Sequence, residues 1–495
     1  MTNVKPLFTG SEWDFNLINN AMIECGKIAK EELHLSTYRN SVEIVTSEQM
    51  LDAYASTGLP VMYKHWSFGK KFSRERDAYQ SGNRGLAYEL VINTSPTVNY
   101  LMEENTACMQ VLVIAHAAYG HNHVFKNNYM FKQWTDAESI MDYLIFARDY
   151  ISKCEEKHGE DAVEMTINSA HALMMNGIDR YKRPRKLSLA EEELKQKERT
   201  EYLERTINDL WRTLPKAGSE ISKDDPAKKF VTQPEENILY FLEKNSPILE
   251  PWQREILRIV RKLAQYFYPQ QQTKTVNEGW ASFTHYYIMN RLHEKGLLTD
   301  GAMLEFLSSH TSVVMQPDYK SPFYSGINPY YLGFEMFTDI RRICEHPDEE
   351  DYRLFPDIAG TNWVDTCLDA VANYRDESFI RQFLSPKLVR KMKLFKLLDD
   401  KSEENYLVTA IQNDEGFKEI RNSLANSYEL NDWFPKVEIT DADIKGDRTL
   451  TLTYTRERKR ALSDSWKPMI KHINYLWGHK VKLLTQRGHA IGEIG

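Results

Sequence analysis

The sequence predicts a mainly α-helical body followed by a small C-terminal α+β domain of ferredoxin-like order. Three observations carry that reading. From residue 10 to about 390, apolar residues recur mostly at helical spacing. Near residue 400 the pattern turns to strand-like alternation, at 406–411, 436–439 and 449–454. The 495 residues, 42% of them hydrophobic, suit roughly two to four units, or one large body with an appendage. The boundaries drawn are 1–400 for the helical body and 402–490 for the βαββαβ domain.

Taken in order, 10–35 reads as an amphipathic helix, 41–55 as mixed, and 88–93 as a short strand stopped by Ser95-Pro96. The apolar run at 106–119 exceeds usual strand length and predicts a buried helix. Residues 135–175 read as helical throughout. The stretch at 181–212 opens with Lys182-Arg183-Pro184-Arg185-Lys186 and continues in alternating charges. It predicts a solvated helix laced with i,i+4 pairs, and 217–234 predicts a loop. Helical patterning resumes at Glu236. In the C-terminal part, helices at 416–428 and from Ser463-Asp464 to Gly478 complete the β-α-β-β-α-β order with a last strand at 480–485.

A formal charge of −8 argues against general nucleic-acid affinity. The five cysteines are scattered, with no C-x-x-C pair, and predict reduced thiols. No basic region followed by an apolar run opens the chain, and no stretch approaches the ~18 apolar residues of a membrane span. These features predict a cytoplasmic protein. No Walker loop, dinucleotide fingerprint or G-x-S-x-G elbow occurs.

The candidate chemistry lies in two segments. Glu278 and His285, in Asn277-Glu278-Gly279-Trp280, are two helical turns apart and share a face. His116, His121 and His123 fall within eight residues, in a chain with 14 histidines. Imidazole and carboxylate together suit a divalent metal, with zinc preferred and iron or manganese as alternatives. His116 and His121 are five apart, which a regular helix places poorly, but Gly120 allows the helix to end or bulge there. The metal ligands expected are His116, His121, Glu278 and His285. H-E-x-x-H is absent, since position 117 is alanine. Glu278 cannot both ligate and act as base, so Glu164 and His123 are the candidate bases. Glu164 and His171 repeat the seven-residue spacing; His171 is either a core histidine or a pocket residue. Lys126, Asn127, Asn128, Asn328 and Tyr330 are candidates for outer contacts or pocket lining, although turn chemistry explains Asn328 equally well. The plain alternative to a metal is a polar core network in which His and Glu satisfy one another.

Several blocks, in order, resemble the stage V sporulation protein R (SpoVR) family. They are His65-Trp66-Ser67-Phe68-Gly69-Lys70, Glu89-Leu90-Val91-Ile92-Asn93, the His116 to Asn128 segment and Gly177-Ile178-Asp179-Arg180-Tyr181. Asn277-Glu278-Gly279-Trp280-Ala281 with His285-Tyr286, Gly326-Ile327-Asn328-Pro329-Tyr330 and Phe355-Pro356-Asp357-Ile358-Ala359-Gly360 follow. The resemblance covers about 10–485. It implies a cytoplasmic protein linked to spore cortex formation or to stress response. It also implies partnership with a PrkA-type serine kinase and a von Willebrand-type protein of the YeaH/YhbH kind. The E-G-W-A block is similar to a helix of gluzincin-like metallopeptidases, which implies a gluzincin-like body. Two functions follow as expectations: a metal-dependent hydrolase of a peptide or peptidoglycan-type amide, or a non-catalytic partner whose metal is structural. Carboxylate and His ligands on helices also suit an iron oxidase or oxygenase.

Overall fold

The structure is a computed structural model that describes residues 5–55, 59, 61–80, 89–182, 234–398, 407–411, 413–429, 436–444, 446–455, 462 and 466–495. Most of the charge-laced stretch at 181–212, the loop at 217–234 and the Ser463-Asp464 cap lie outside them. The chain forms two compact units. One comprises Met1–Ile167 with Lys262–Phe434, the other Asn168–Arg261 with Pro435–Gly495. Among the described residues no helix is long and apolar enough to cross a membrane. All five cysteines are buried and unbridged.

The first unit is mainly helical, as its periodicity predicts. Its amphipathic opening forms the helix Phe15–Glu31, capped by Asp14, whose side chain accepts from the Leu17 amide. A small sheet follows, built from β1 (Asn40–Val45), β2 (Glu89–Ile92) and β3 (Thr97–Met102). Its order is β1-β3-β2, with β1 parallel and β2 antiparallel to β3. The stretch at 135–175 forms two helices, Ile140–His158 and Glu160–Ala172, broken at Gly159, where φ is +89°.

The apolar run is buried and helical, but it is not one regular helix. Thr106 caps an α-helix at Ala107–Val113, and the chain then widens into a π-helix at Ile114–His121. That segment packs against the Lys274–Glu294 helix, which is buried on nearly every side. Two close approaches seat this central helix. A Cβ on Gly120 would lie 2.6 Å from Ala281 Cα. Gly279 likewise faces Gly333 of the Pro329–Glu345 helix, backbone against backbone. Trp280 fills the space beyond, with ring centroids 5.8 Å from Phe283 and 5.2 Å from Phe337.

The C-terminal part is a small sheet domain, but its strands are not grouped as the ferredoxin-like order requires. The first predicted strand, β5 (Leu407–Ala410), pairs with β4 (Lys396–Leu398) in a separate two-stranded sheet. The next helix, Asp414–Ser427, places Phe417, Ile420 and Ala425 in the core of the helical unit. The remaining strands, β6 (Lys436–Ala442), β7 (Leu450–Thr455), β8 (Val481–Thr485) and β9 (Ala490–Ile494), form one sheet in the order β6-β7-β8-β9. The β7–β8 pair is parallel, bridged in sequence by the helix Trp466–Trp477, and the outer pairs are antiparallel. The C-terminal segment of the second unit, from Lys436, is therefore ββαββ. The alternation at 406–411 correctly signals a strand but carries no information about its partner. β9 escapes the pattern because it is short and holds Gly492, over which the Trp466 ring lies. Ile439, Leu452, Ile473, Trp477 and Leu483 form the core of this unit with Leu239 and Leu242.

Candidate metal centre

The π-helix is what makes the histidine pair a site. Its hydrogen bonds run from i to i+5 instead of i to i+4, so residues five apart come onto one face. His116 and His121 thereby point the same way, their ring centroids 4.6 Å apart. Opposite them stands Glu278, one turn into the central helix. Its Oε2 lies 3.4 Å from His121 Nε2 and 4.0 Å from His116 Nε2. A second carboxylate arrives from β2: Glu89 Oε1 lies 3.3 Å from His116 Nε2. One donor atom from each of Glu89, His116 and His121 lies within 4.8 Å of the others.

The outer contacts orient both imidazoles and fix the tautomer of His121. His121 Nδ1 lies 2.9 Å from the Asn277 side-chain oxygen. That oxygen only accepts, so Nδ1 carries the hydrogen and Nε2 presents its lone pair inward. His116 Nδ1 lies 2.8 Å from His285 Nδ1, and His285 Nε2 lies 2.8 Å from His310 Nδ1. With the His116 Nε2 lone pair directed inward, one sequence of hydrogens satisfies the chain: His116 donates to His285, and His285 donates to His310.

Electrostatics make the cluster costly by itself. Glu89 Oε2 and Glu278 Oε2 are buried and accept no hydrogen bond. Among the described residues no lysine or arginine pairs with either carboxylate. Burial, and then the charge of Glu278, pushes the Glu89 carboxyl well above its usual range. Burial, reinforced by their histidine neighbours, holds His116 and His285 well below the ordinary imidazole value, and burial alone brings His310 to about 4. A polar core network would pair these groups with donors. Here Glu89, His116 and His121 converge with the Glu278 carboxylate beside them and no lysine or arginine paired with them among the described residues, an arrangement that fits a divalent cation of the zinc, iron or manganese type.

A cavity of about 400 Å³ opens beside the cluster. Glu89, His116, His285 and His310 form one wall; Met109, Leu112, Val113, Ser309, Val313, Asn328 and Tyr330 form the rest.

The expected site residues divide accordingly. His116, His121 and Glu278 come together, and Asn328 and Tyr330 line the cavity. His285 is adjacent, but both its nitrogens are engaged by histidines. His123 points elsewhere, its Nδ1 3.1 Å from the Ser36 amide and from Asn127 Nδ2, with burial bringing it to about 4. Lys126 donates to Thr37 O, Asn127 to Ser36 O, and Asn128 to Val371 O and Tyr374 O. These three anchor backbone and do not reach the cluster. Glu164 is exposed on its helix, and His171 belongs to the other unit. Two members escaped the sequence reading. Glu89 was legible only as the charge that opens an otherwise apolar family block, and His310 carried no signal.

Comparison with known proteins assigns the chain. The profile of SpoVR like protein matches residues 12–433, and that of the SpoVR-like C-terminal domain matches residues 435–488. The second match begins where the ββαββ unit begins. Uncharacterized protein YcgB of Escherichia coli (strain K12) is 54% identical over 489 residues, covering 99% of this chain and 95% of the relative. No solved structure matches the chain. With both profiles together spanning nearly its whole length, the chain belongs to the SpoVR family.

Proposed function

We propose that this chain is a divalent-metal-dependent hydrolase of an amide in a peptide or peptidoglycan fragment. The observation that carries the reading is the convergence of Glu89, His116 and His121 beside a cavity, their donor atoms within 4.8 Å of one another, with Glu278 Oε2 3.4 Å from His121 Nε2 and no hydrogen bond to Glu89 Oε2 or Glu278 Oε2. His116 Nε2, His121 Nε2 and Glu278 would hold the metal, with zinc preferred and iron or manganese as alternatives. A bound metal of this kind polarises a carbonyl and lowers the pKa of water to roughly 7.

The remaining steps belong to the chain. Glu89 is the general base in place of Glu164 and His123. It stands on the cavity wall, 3.3 Å from His116 Nε2, where it can accept a proton from water and pass it to the leaving amine. His285 and Asn277 hold the two imidazoles in the required tautomers. The donor set is that of gluzincin-like peptidases in kind, two histidines and a glutamate. The base differs in origin, coming from a strand and not from H-E-x-x-H. The peptidoglycan class of substrate follows from the family resemblance's link to spore cortex formation.

One observation favours a second reading. Four side chains suffice to close a tetrahedral site, and a closed site is structural. The chain would then act as a non-catalytic partner, as with a kinase of the PrkA type. Glu89→Gln separates the two. On the hydrolase reading this variant keeps about one metal per chain and loses amide cleavage from a muropeptide pool, whereas His121→Ala loses the metal. Loss of metal from Glu89→Gln as complete as from His121→Ala would overturn the hydrolase reading in favour of the structural one.

A further inference from the structure

We propose that the cavity beside the cluster selects substrates by a neutral apolar group on the carbonyl side of the scissile amide. This inference rests on the hydrolase reading and specifies its substrate. The cavity and the cluster share Glu89 and His116, so a group lodged in the cavity lies next to the reacting atoms. Away from that wall the lining is mostly apolar, contributed by Met109, Leu112, Val113 and Val313. Among the described residues no lysine or arginine lines it, so nothing there would receive a substrate carboxylate or phosphate.

The surroundings extend the same character. Val313 ends one helix and Asn328 caps the next, and the loop between them is pinned at its base. The Asn328 amide nitrogen donates to Val313 O at 2.9 Å, and its backbone N–H donates to the Gln316 side-chain oxygen at 2.7 Å. From this fixed base the loop exposes large apolar side chains, with Phe323 at 82% and Met315 at 61%. An apolar cavity flanked by a pinned loop with exposed apolar residues fits an aliphatic acyl chain or a large apolar side chain. It does not fit a short polar or charged group.

The test uses the full-length, zinc-loaded protein and hydroxamic acids, which chelate zinc and project their acyl group from the carbonyl. Acetohydroxamate, hexanohydroxamate and N-acetyl-phenylalanine hydroxamate are compared by calorimetry. The expected result is binding of the six-carbon or the phenylalanine compound roughly ten-fold or more tighter than acetohydroxamate. The arm that gains more separates an acyl chain from an aromatic side chain. Val313→Trp, which fills the cavity from a half-buried helix end, is expected to abolish the gain. The chain-length ratio is also measured after zinc is stripped, when every affinity falls but the ratio persists. A ratio near one in both forms would overturn the inference and leave the metal reading standing. Affinities indifferent to zinc would overturn the hydrolase reading, and the ratio would still decide the cavity.

Discussion

Gly120→Ala tests whether the close approach of the π-helix to the central helix makes the site. Two effects oppose each other. Alanine is the better helix former, by about 1 kcal/mol. Against that, the new Cβ would lie 2.6 Å from Ala281 Cα and 2.9 Å from Ala281 Cβ. Ordinary contact begins at 3.4 Å, so the two segments must part by about 0.8 Å at this point. The struck atoms are main chain and Cβ of a buried helix and cannot swing aside. Overpacking of this kind costs about 1–3 kcal/mol, and its upper end applies here. The net expectation is a loss of about 1–2 kcal/mol, read by urea denaturation. The consequence for metal is larger. Gly120 precedes His121, and Ala281 lies one turn beyond Glu278, so the separation falls directly on a ligand pair. Metal sites tolerate about 0.2 Å, so affinity should drop roughly ten-fold or more in chelator competition. A variant as stable as the parent, with full metal content and unchanged affinity, would refute the argument.

Three further outcomes follow from particular contacts. His285→Ala and Asn277→Ala should each weaken metal binding roughly 10–100-fold while leaving its stoichiometry intact, because each removes an orienting hydrogen bond and not a ligand; complete loss of metal from His285→Ala would make it a ligand instead. Burial raises the Glu32 carboxyl, but Arg291, Lys295 and Tyr287 overcome that and hold it down from 4.5 to about 2. Its folded pKa is depressed, so its contribution is present above pH 4.5 and is lost as pH falls toward 2; Glu32→Gln should be less stable than the parent at pH 7, with the gap closing over that window in acid titration. In the second unit, Glu243 is 2% exposed and pairs with Lys244, Arg258 and Arg261. Glu243→Ala should cost about 3 kcal/mol, at the low end for a broken buried pair because Lys244 and Arg258 stay half-exposed to water; thermal unfolding within 1 °C of the parent would count against it.

Local pattern made much of this molecule legible, while long-range pairing stayed hidden. The Glu278 helix, the apolar run and the histidine cluster were all readable, because each is a periodicity or a density of one residue type. The repeat of the seven-residue Glu/His spacing at Glu164 and His171 shows the limit of such spacing. One copy faces the cluster, and in the other the glutamate faces solvent, a difference set by burial alone. Glu89 could not be found because its role depends on β2 lying beside the π-helix, a contact between residues 27 positions apart in sequence. β5 was misassigned for the same reason, since alternation names a strand but not its neighbour.

Gly120 was the one local signal that reached across. It allowed a break from regular helix between two histidines five apart, and the structure shows that break as a π-helix. The same feature bears on the choice between catalysis and structure. A π-helix inside an α-helical run sacrifices regular hydrogen bonding and tends to mark function. Here it aligns two imidazoles toward two carboxylates that no described cation neutralises. A structural site could have used the helix face that regular geometry offers, at positions three or four apart. The chain instead bears the cost of the bulge, and the wall that bulge helps form opens on a cavity lined by His116 and Glu89. A histidine pair placed at such cost beside open space, with one carboxylate on the cavity wall, is the arrangement the proposed substrate-receiving site requires.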